Sequence, residues 1–192
     1  PESGNGVPDI IDEARNGVDC WLRLRDGTGY SHGLTNPNDS NELFQAGPTA
    51  IAAWANAANA AMLADAYRVA GQAALMNQYR DAAITAYNYA NGLADPMLDQ
   101  GQDLGGLTRG RDFKMMAAAF LYNVTGTRSW EDVVNTESVC ASGVATLKDN
   151  GRNQLWGSAA YLTTPQTVHY PTLQGNMRTA ILAQARSEEG AY

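Results

Sequence analysis

Cysteine is scarce in this 192-residue sequence: only Cys20 and Cys140 are present, with no CxxC pair and no Cys/His spacing of the kind a zinc site needs. Both fall where helices are expected, and both are read as buried free thiols, small core residues, with a bridge between them left open by the sequence. Long apolar runs are missing too. None approaches the roughly 20 residues a membrane-spanning helix requires, which excludes such a helix and a membrane partner. Positive charge is in deficit, with 13 Lys and Arg against 20 Asp and Glu, a net charge of -7 and a pI near 4.7. Nucleic acid is thereby excluded as a partner, because its phosphates need a basic patch. Neutral ligands such as sugars remain compatible with an acidic surface. Sustained period-two alternation is also lacking, so no sheet is expected and the fold class reads as all-α.

What the sequence does have is alanine and helical periodicity. Apolar residues reach 44%, and a chain this long is ample for one core, able to bury roughly 70% of its unfolded surface. Pro8 suits a first helical turn, and Asp9, Asp12 and Glu13 sit where the helix dipole favours negative charge. Ile10, Ala14, Val18 or Gly17, Trp21 and Leu24 then recur as a stripe expected to be buried, and Asp26-Gly27 ends that helix. A polar loop runs to about Gly47. Helices are expected at about 48–70, 72–92, 111–125, 129–147, 153–163 and 172–188, with a second loop from Ala94 to Arg109. Trp54 and the Met115-Met116 pair, like Trp21, sit at core spacing. Tyr67-Arg68-Val69-Ala70-Gly71 and Tyr122-Asn123-Val124-Thr125-Gly126 share Tyr-x-Val-x-Gly, each closing an alanine-rich helix just before another. A glycine past a helix C-terminus supplies the left-handed backbone needed there, so both read as helix–Gly–helix hairpins, the unit of α/α toroids and solenoids.

Four stretches carry a resemblance to a known family. The first is the glycine-rich loop and helix Pro1-Glu2-Ser3-Gly4-Asn5-Gly6-Val7-Pro8-Asp9-Ile10-Ile11-Asp12-Glu13-Ala14-Arg15. The second is Asp26-Gly27-Thr28-Gly29-Tyr30-Ser31-His32-Gly33-Leu34-Thr35, and the third is Pro48-Thr49-Ala50 with the alanine helix to Tyr67. The fourth runs from Asp112-Phe113-Lys114-Met115-Met116-Ala117-Ala118-Ala119 through Phe120-Leu121-Tyr122 to Gly126. In this order they resemble the catalytic domain of glycoside hydrolase family 9, the inverting cellulases. The resemblance covers about residues 1–130, and past about residue 150 the sequence offers only compatible helices.

The resemblance implies part of an (α/α)6 toroid, about seven of its twelve helices, with residues 1–192 forming a partial catalytic domain. It implies hydrolysis of β-1,4-glucan by a secreted endoglucanase. Inversion needs two carboxyl groups roughly 6.5–9.5 Å apart, one activating a water and one protonating the leaving oxygen. In the family the base lies in a D-A-G-D motif upstream of the opening loop, and the acid in an N-E motif far downstream. No D-A-G-D occurs here, and Asn41-Glu42 lies in the wrong order, so no catalytic residue is assigned and the isolated chain is expected to be inactive. Expected partners are a β-1,4-glucan or cello-oligosaccharide, and the remainder of the catalytic domain or a companion chain.

Substrate contacts are expected from His32, which matches a sugar-contacting histidine of the family allowing a one-residue insertion, and from Trp156, His169 and Tyr170. An imidazole can hydrogen-bond glucose hydroxyls through either nitrogen, and aromatic faces stack on sugar rings. The family's structural calcium, which takes hard oxygen ligands, points to Asp112, although Phe113 stands where the family has a second carboxylate. No cofactor is required. Two other classes remain in view: a non-catalytic helical-hairpin binding module, and a different α/α-toroid carbohydrate-active enzyme whose carboxylates are among Asp99, Asp103 and Asp112.

Overall fold

A computed structural model describes residues 4–31, 34–35, 44–93, 110–149 and 152–189. Seven helices occur among them: α1 (Asp9–Arg23), α2 (Ala50–Val69), α3 (Ala73–Gly92), α4 (Gly110–Thr125), α5 (Arg128–Glu137), α6 (Leu155–Leu162) and α7 (Pro171–Glu189). The only strands among these residues are two-residue antiparallel ladders. β1 (Arg25–Asp26) pairs with β2 (Gly29–Tyr30), β3 (Leu34–Thr35) with β4 (Phe44–Gln45), and β5 (Lys148–Asp149) with β6 (Arg152–Asn153). They tether loops and build no sheet, so the all-α class stands. The chain divides into two compact units, residues 1–95 and 96–192.

In the first unit α2 is central, packed against α1 and α3. Its alanines Ala53, Ala57, Ala58, Ala60, Ala61 and Ala64 are fully buried. Side chains this small let neighbouring helix axes approach toward the short end of the usual 8–10 Å. Thr49 caps the helix by accepting the Ala52 N–H at 3.1 Å, a bond of about 1 kcal/mol. Gly71 ends it in the left-handed region (φ 71°), and the Gln72 N–H returns to the Tyr67 carbonyl at 2.9 Å. Trp54 is buried with its ring edge-on to Tyr87, as its spacing suggested.

The second unit repeats the device. Gly126 (φ 65°) closes α4, and its N–H reaches the Tyr122 carbonyl at 2.8 Å before α5 turns back. Helix α4 packs against both α5 and α6, and α6 against α7. Met115, Tyr122, Val134, Leu147, Tyr161 and Met177 lie in this core. Met116 is buried beside Met115, as expected.

Several expectations are corrected. The stripe on α1 is not buried: no residue of that helix is, Ile10 stays 80% exposed and Trp21 43% exposed. Cys20 is exposed while Cys140 is buried, and both are free thiols. Cys140 is not helical either. The helix expected to reach residue 147 stops at Glu137, because side chains offer its backbone other partners. Ser138 Oγ accepts the Cys140 N–H at 3.0 Å. Buried Gln154 accepts the Val139 N–H at 2.9 Å and donates to the Glu137 carbonyl at 3.0 Å. One distant side chain thus satisfies both backbone groups at the break.

Candidate functional site

The connections are unequal. Those after α2 and α4 are short, residues 70–72 and 126–127, whereas the stretches before α2 and α6 are long, residues 24–49 and 138–154. Long loops on a rigid helical scaffold are where binding residues concentrate. In the second unit this singles out the N-terminal end of α6, to which the first turn of α4 is bonded. Asp112, in the first turn of α4, is buried, and its Oδ2 accepts the Asn153 N–H at 2.8 Å just ahead of α6. A helix N-terminus also favours that carboxylate as an anion. The α5 C-terminus meets them: Glu137 pairs with Lys114 at 2.7 Å and with Arg111 at 3.2 Å. Gly157 lets α6 come close, since a Cβ there would sit 3.1 Å from Met116 Cα. On this end Trp156 stands 58% exposed, an aromatic face open to a ligand.

His169 and Tyr170 lie at the other end of the same unit, beside the C-terminus of α4 and the N-terminus of α5. The ten-residue step along α4 from Asp112 to Tyr122 is about 15 Å at 1.5 Å per residue, so they do not share a subsite with Trp156. The His169 backbone N–H, its Nδ1 and the Tyr170 hydroxyl each have a protein partner, while the His169 side chain stays 41% exposed. Fully buried Glu131 accepts the His169 N–H at 2.7 Å, the His169 Nδ1–H at 2.6 Å and the Tyr161 hydroxyl at 2.7 Å. Tyr170 donates to Asp132 at 2.8 Å, and the Arg128 guanidinium lies over its ring at 4.8 Å. The connector leading into them is fastened too, by Tyr122 donating to the Thr167 carbonyl and Gln166 to the Asn123 carbonyl at 2.8 Å.

The titration of this cluster follows from its geometry. Burial pushes the Glu131 carboxyl up, but the His169 N–H, the Tyr161 hydroxyl and the His169 ring together bring it below its ordinary value. Arg128 and then Tyr170 hold Asp132 low. Burial raises the Tyr122 phenol, and burial with the Glu131 carboxylate raises that of Tyr161. Sequence reasoning missed Glu131 and Gln154. The Arg128-x-x-Glu131-Asp132 spacing advertises a helix surface pair, and nothing local announces partners 30 or more residues downstream.

Among the described residues no group of three or more His, Cys, Asp and Glu could hold a metal. Calcium wants six to eight oxygens. Among the described residues Asp112 offers one carboxylate, which accepts a backbone N–H, and its neighbours Arg111 and Lys114 both pair with Glu137. His32, Asn41, Glu42, Asp99 and Asp103 lie outside the described residues.

Paired helices hairpinned by left-handed glycines define a protein of the α/α class. Solved structures of glycoside hydrolase family 9, the family its motifs resemble, share this fold. Over 97% of its length the chain is similar to a glycoside hydrolase family 9 protein from Bacteroides ovatus, at 21% identity and a TM-score of 0.74, covering 38% of that chain. A metagenome-derived glycoside hydrolase family 9 endoglucanase matches over 97% of this chain and 36% of its own, at 27% identity and a TM-score of 0.74. A single-mutant thermostable endoglucanase from Alicyclobacillus acidocaldarius matches over 94% and 37%, at 20% identity and a TM-score of 0.64. The chain therefore spans less than two-fifths of the structures it matches, and its fold is that part of theirs. No protein-family model matches the sequence, and no curated protein does.

Proposed function

We propose that the polypeptide carrying these residues is a secreted β-1,4-glucan endohydrolase acting with inversion, in which residues 1–192 supply scaffold and one wall of the cleft. The carrying observation is the similarity to family 9 structures along nearly the whole chain, including an endoglucanase at 27% identity. The aspartate base and glutamate acid are assigned to residues outside 1–192. Chemistry supports this. A general acid must keep its proton near neutral pH, so its carboxyl must be raised. Glu131 and Asp132 are shifted the other way, and Asp112 and Glu137 are tied to a backbone N–H and to two cations.

Trp156 is the described residue best suited to meet a glucan, because it is an exposed aromatic at the start of α6, just after the long 138–154 stretch. His32 is proposed as a hydrogen-bonding partner for sugar hydroxyls on the loop before α2. His169 and Tyr170 are assigned to fastening the connector between α6 and α7. Reducing-sugar release from carboxymethylcellulose tests the reading. The full-length polypeptide should release sugar, with the α-anomer as first product by NMR, and residues 1–192 alone should release none. Turnover by residues 1–192 alone, lost on changing Asp103 or Asp112, would replace this reading with a different toroid enzyme.

A further inference from the structure

Trp156 is the second residue of α6, a helix of only eight residues. Helices this short are marginal on their own, and their ends fray first. Gln154, at the N-cap position, makes no side-chain capping bond. Its side chain has a different task. The residue is fully buried, and its amide spans the break after α5, accepting the Val139 N–H at 2.9 Å and donating to the Glu137 carbonyl at 3.0 Å. Its backbone is held as well: the N–H reaches the Leu147 carbonyl at 2.9 Å, and the carbonyl accepts the Ser158 N–H at 3.0 Å. On one side of it, Asp112 takes the Asn153 N–H at 2.8 Å; on the other, Gly157 lies close against the Met116 backbone. Residues 153, 154 and 157 are thus fastened, while Trp156 among them stays 58% exposed.

We infer that Gln154 is a positioning residue for glucan binding: its buried amide fixes the backbone from which Trp156 presents its ring to a sugar. The inference rests on the reading above of Trp156 as a glucan contact. A buried amide is costly unless both its ends are bonded, so moving the start of α6 away from the end of α5 breaks two buried bonds at once. That resistance acts two residues ahead of Trp156. Stacking demands a flat contact between ring and sugar. A ring whose backbone is fixed beforehand loses only its two side-chain torsions when the ligand arrives. On a frayed first turn the ligand would have to order the backbone as well, and affinity would fall.

A double-mutant cycle in the full-length polypeptide tests this, read as the Kd of a thio-linked cellotetraose, which is not hydrolysed, by calorimetry. Gln154→Met keeps the side-chain length and removes both bonds. It should raise Kd about threefold in the otherwise native polypeptide and leave Kd unchanged once Trp156→Ala is present, because residues that act through one another are not additive. Tm should fall in both backgrounds. An unchanged Kd, or the same rise in both backgrounds, would overturn the proposal and leave Gln154 a purely structural residue. Gln154→Glu keeps the acceptor for the Val139 N–H and carries the same cycle if Gln154→Met does not fold. Trp156→Ala alone separates the two readings. If it leaves Kd unchanged, the glucan contact is lost and the positioning role with it. If it weakens binding while Gln154→Met does not, the positioning role alone is lost.

Discussion

Glu131 shows what a single residue settles here. Its carboxylate is fully buried, and three donors from α6 and the connector after it converge on it. Tyr161→Phe removes one of them and should cost about 2 kcal/mol in urea unfolding, because a bond to a buried charge is worth more than a neutral one. The pH dependence follows in sign. Glu131 is lowered on folding from an ordinary value of 4.5, so the unfolded chain holds the proton more tightly. Its contribution is present above about pH 4.5 and fades as pH falls through the lowered folded value. Glu131→Gln should therefore flatten the acid side of the stability profile. Tyr79 acts on the opposite side. Burial, then its hydrogen bond to Asp19, pushes the phenol up from 10 to about 12. That contribution is present below pH 10 and lost as pH rises towards 12. Tyr79→Phe should remove this alkaline loss in circular-dichroism titrations.

Between helices the two glycine hairpins look alike in sequence and differ in surroundings. Gly71→Ala places a Cβ at φ 71° in open space, so only backbone strain of about 1 kcal/mol is expected. Gly126→Ala adds a contact 2.9 Å from Gln166 Oε1 and displaces the side chain that bonds the Asn123 carbonyl. Its Tm should fall further than that of Gly71→Ala, and equal falls would show that Gln166 contributes little. The hairpins themselves were legible because a left-handed C-terminus is a local demand on one residue. The end of α5 was not legible. Gln154, 17 residues beyond Glu137, satisfies the backbone there, and no local window contains both.

For the second unit as a whole, the packing of α6 on α4 brings the exposed Trp156 and the buried Asp112 to one end. Trp156→Ala should weaken cello-oligosaccharide binding by the full-length polypeptide roughly tenfold, a base-sized stacking loss of about 1–3 kcal/mol, with little change in Tm. Unchanged Kd by calorimetry would return Trp156 to the ordinary surface. His169→Ala should do the reverse, lowering Tm while leaving that Kd unchanged, because its contacts run inward to Glu131.

Helical periodicity, the alanine-rich segments, the left-handed glycines and the motif order by themselves determined the all-α class, the hairpin arrangement and the family resemblance. Each depends on neighbours within a few turns of chain. Burial and long-range pairing were decided only in three dimensions. The α1 stripe has core periodicity and an open groove before it, because periodicity states which side chains share a face and not whether anything covers that face. Trp156 and His169 are 13 residues apart in the chain and belong to opposite ends of one helical unit, because α6 runs between them and its packing on α4 fixes which end each one occupies.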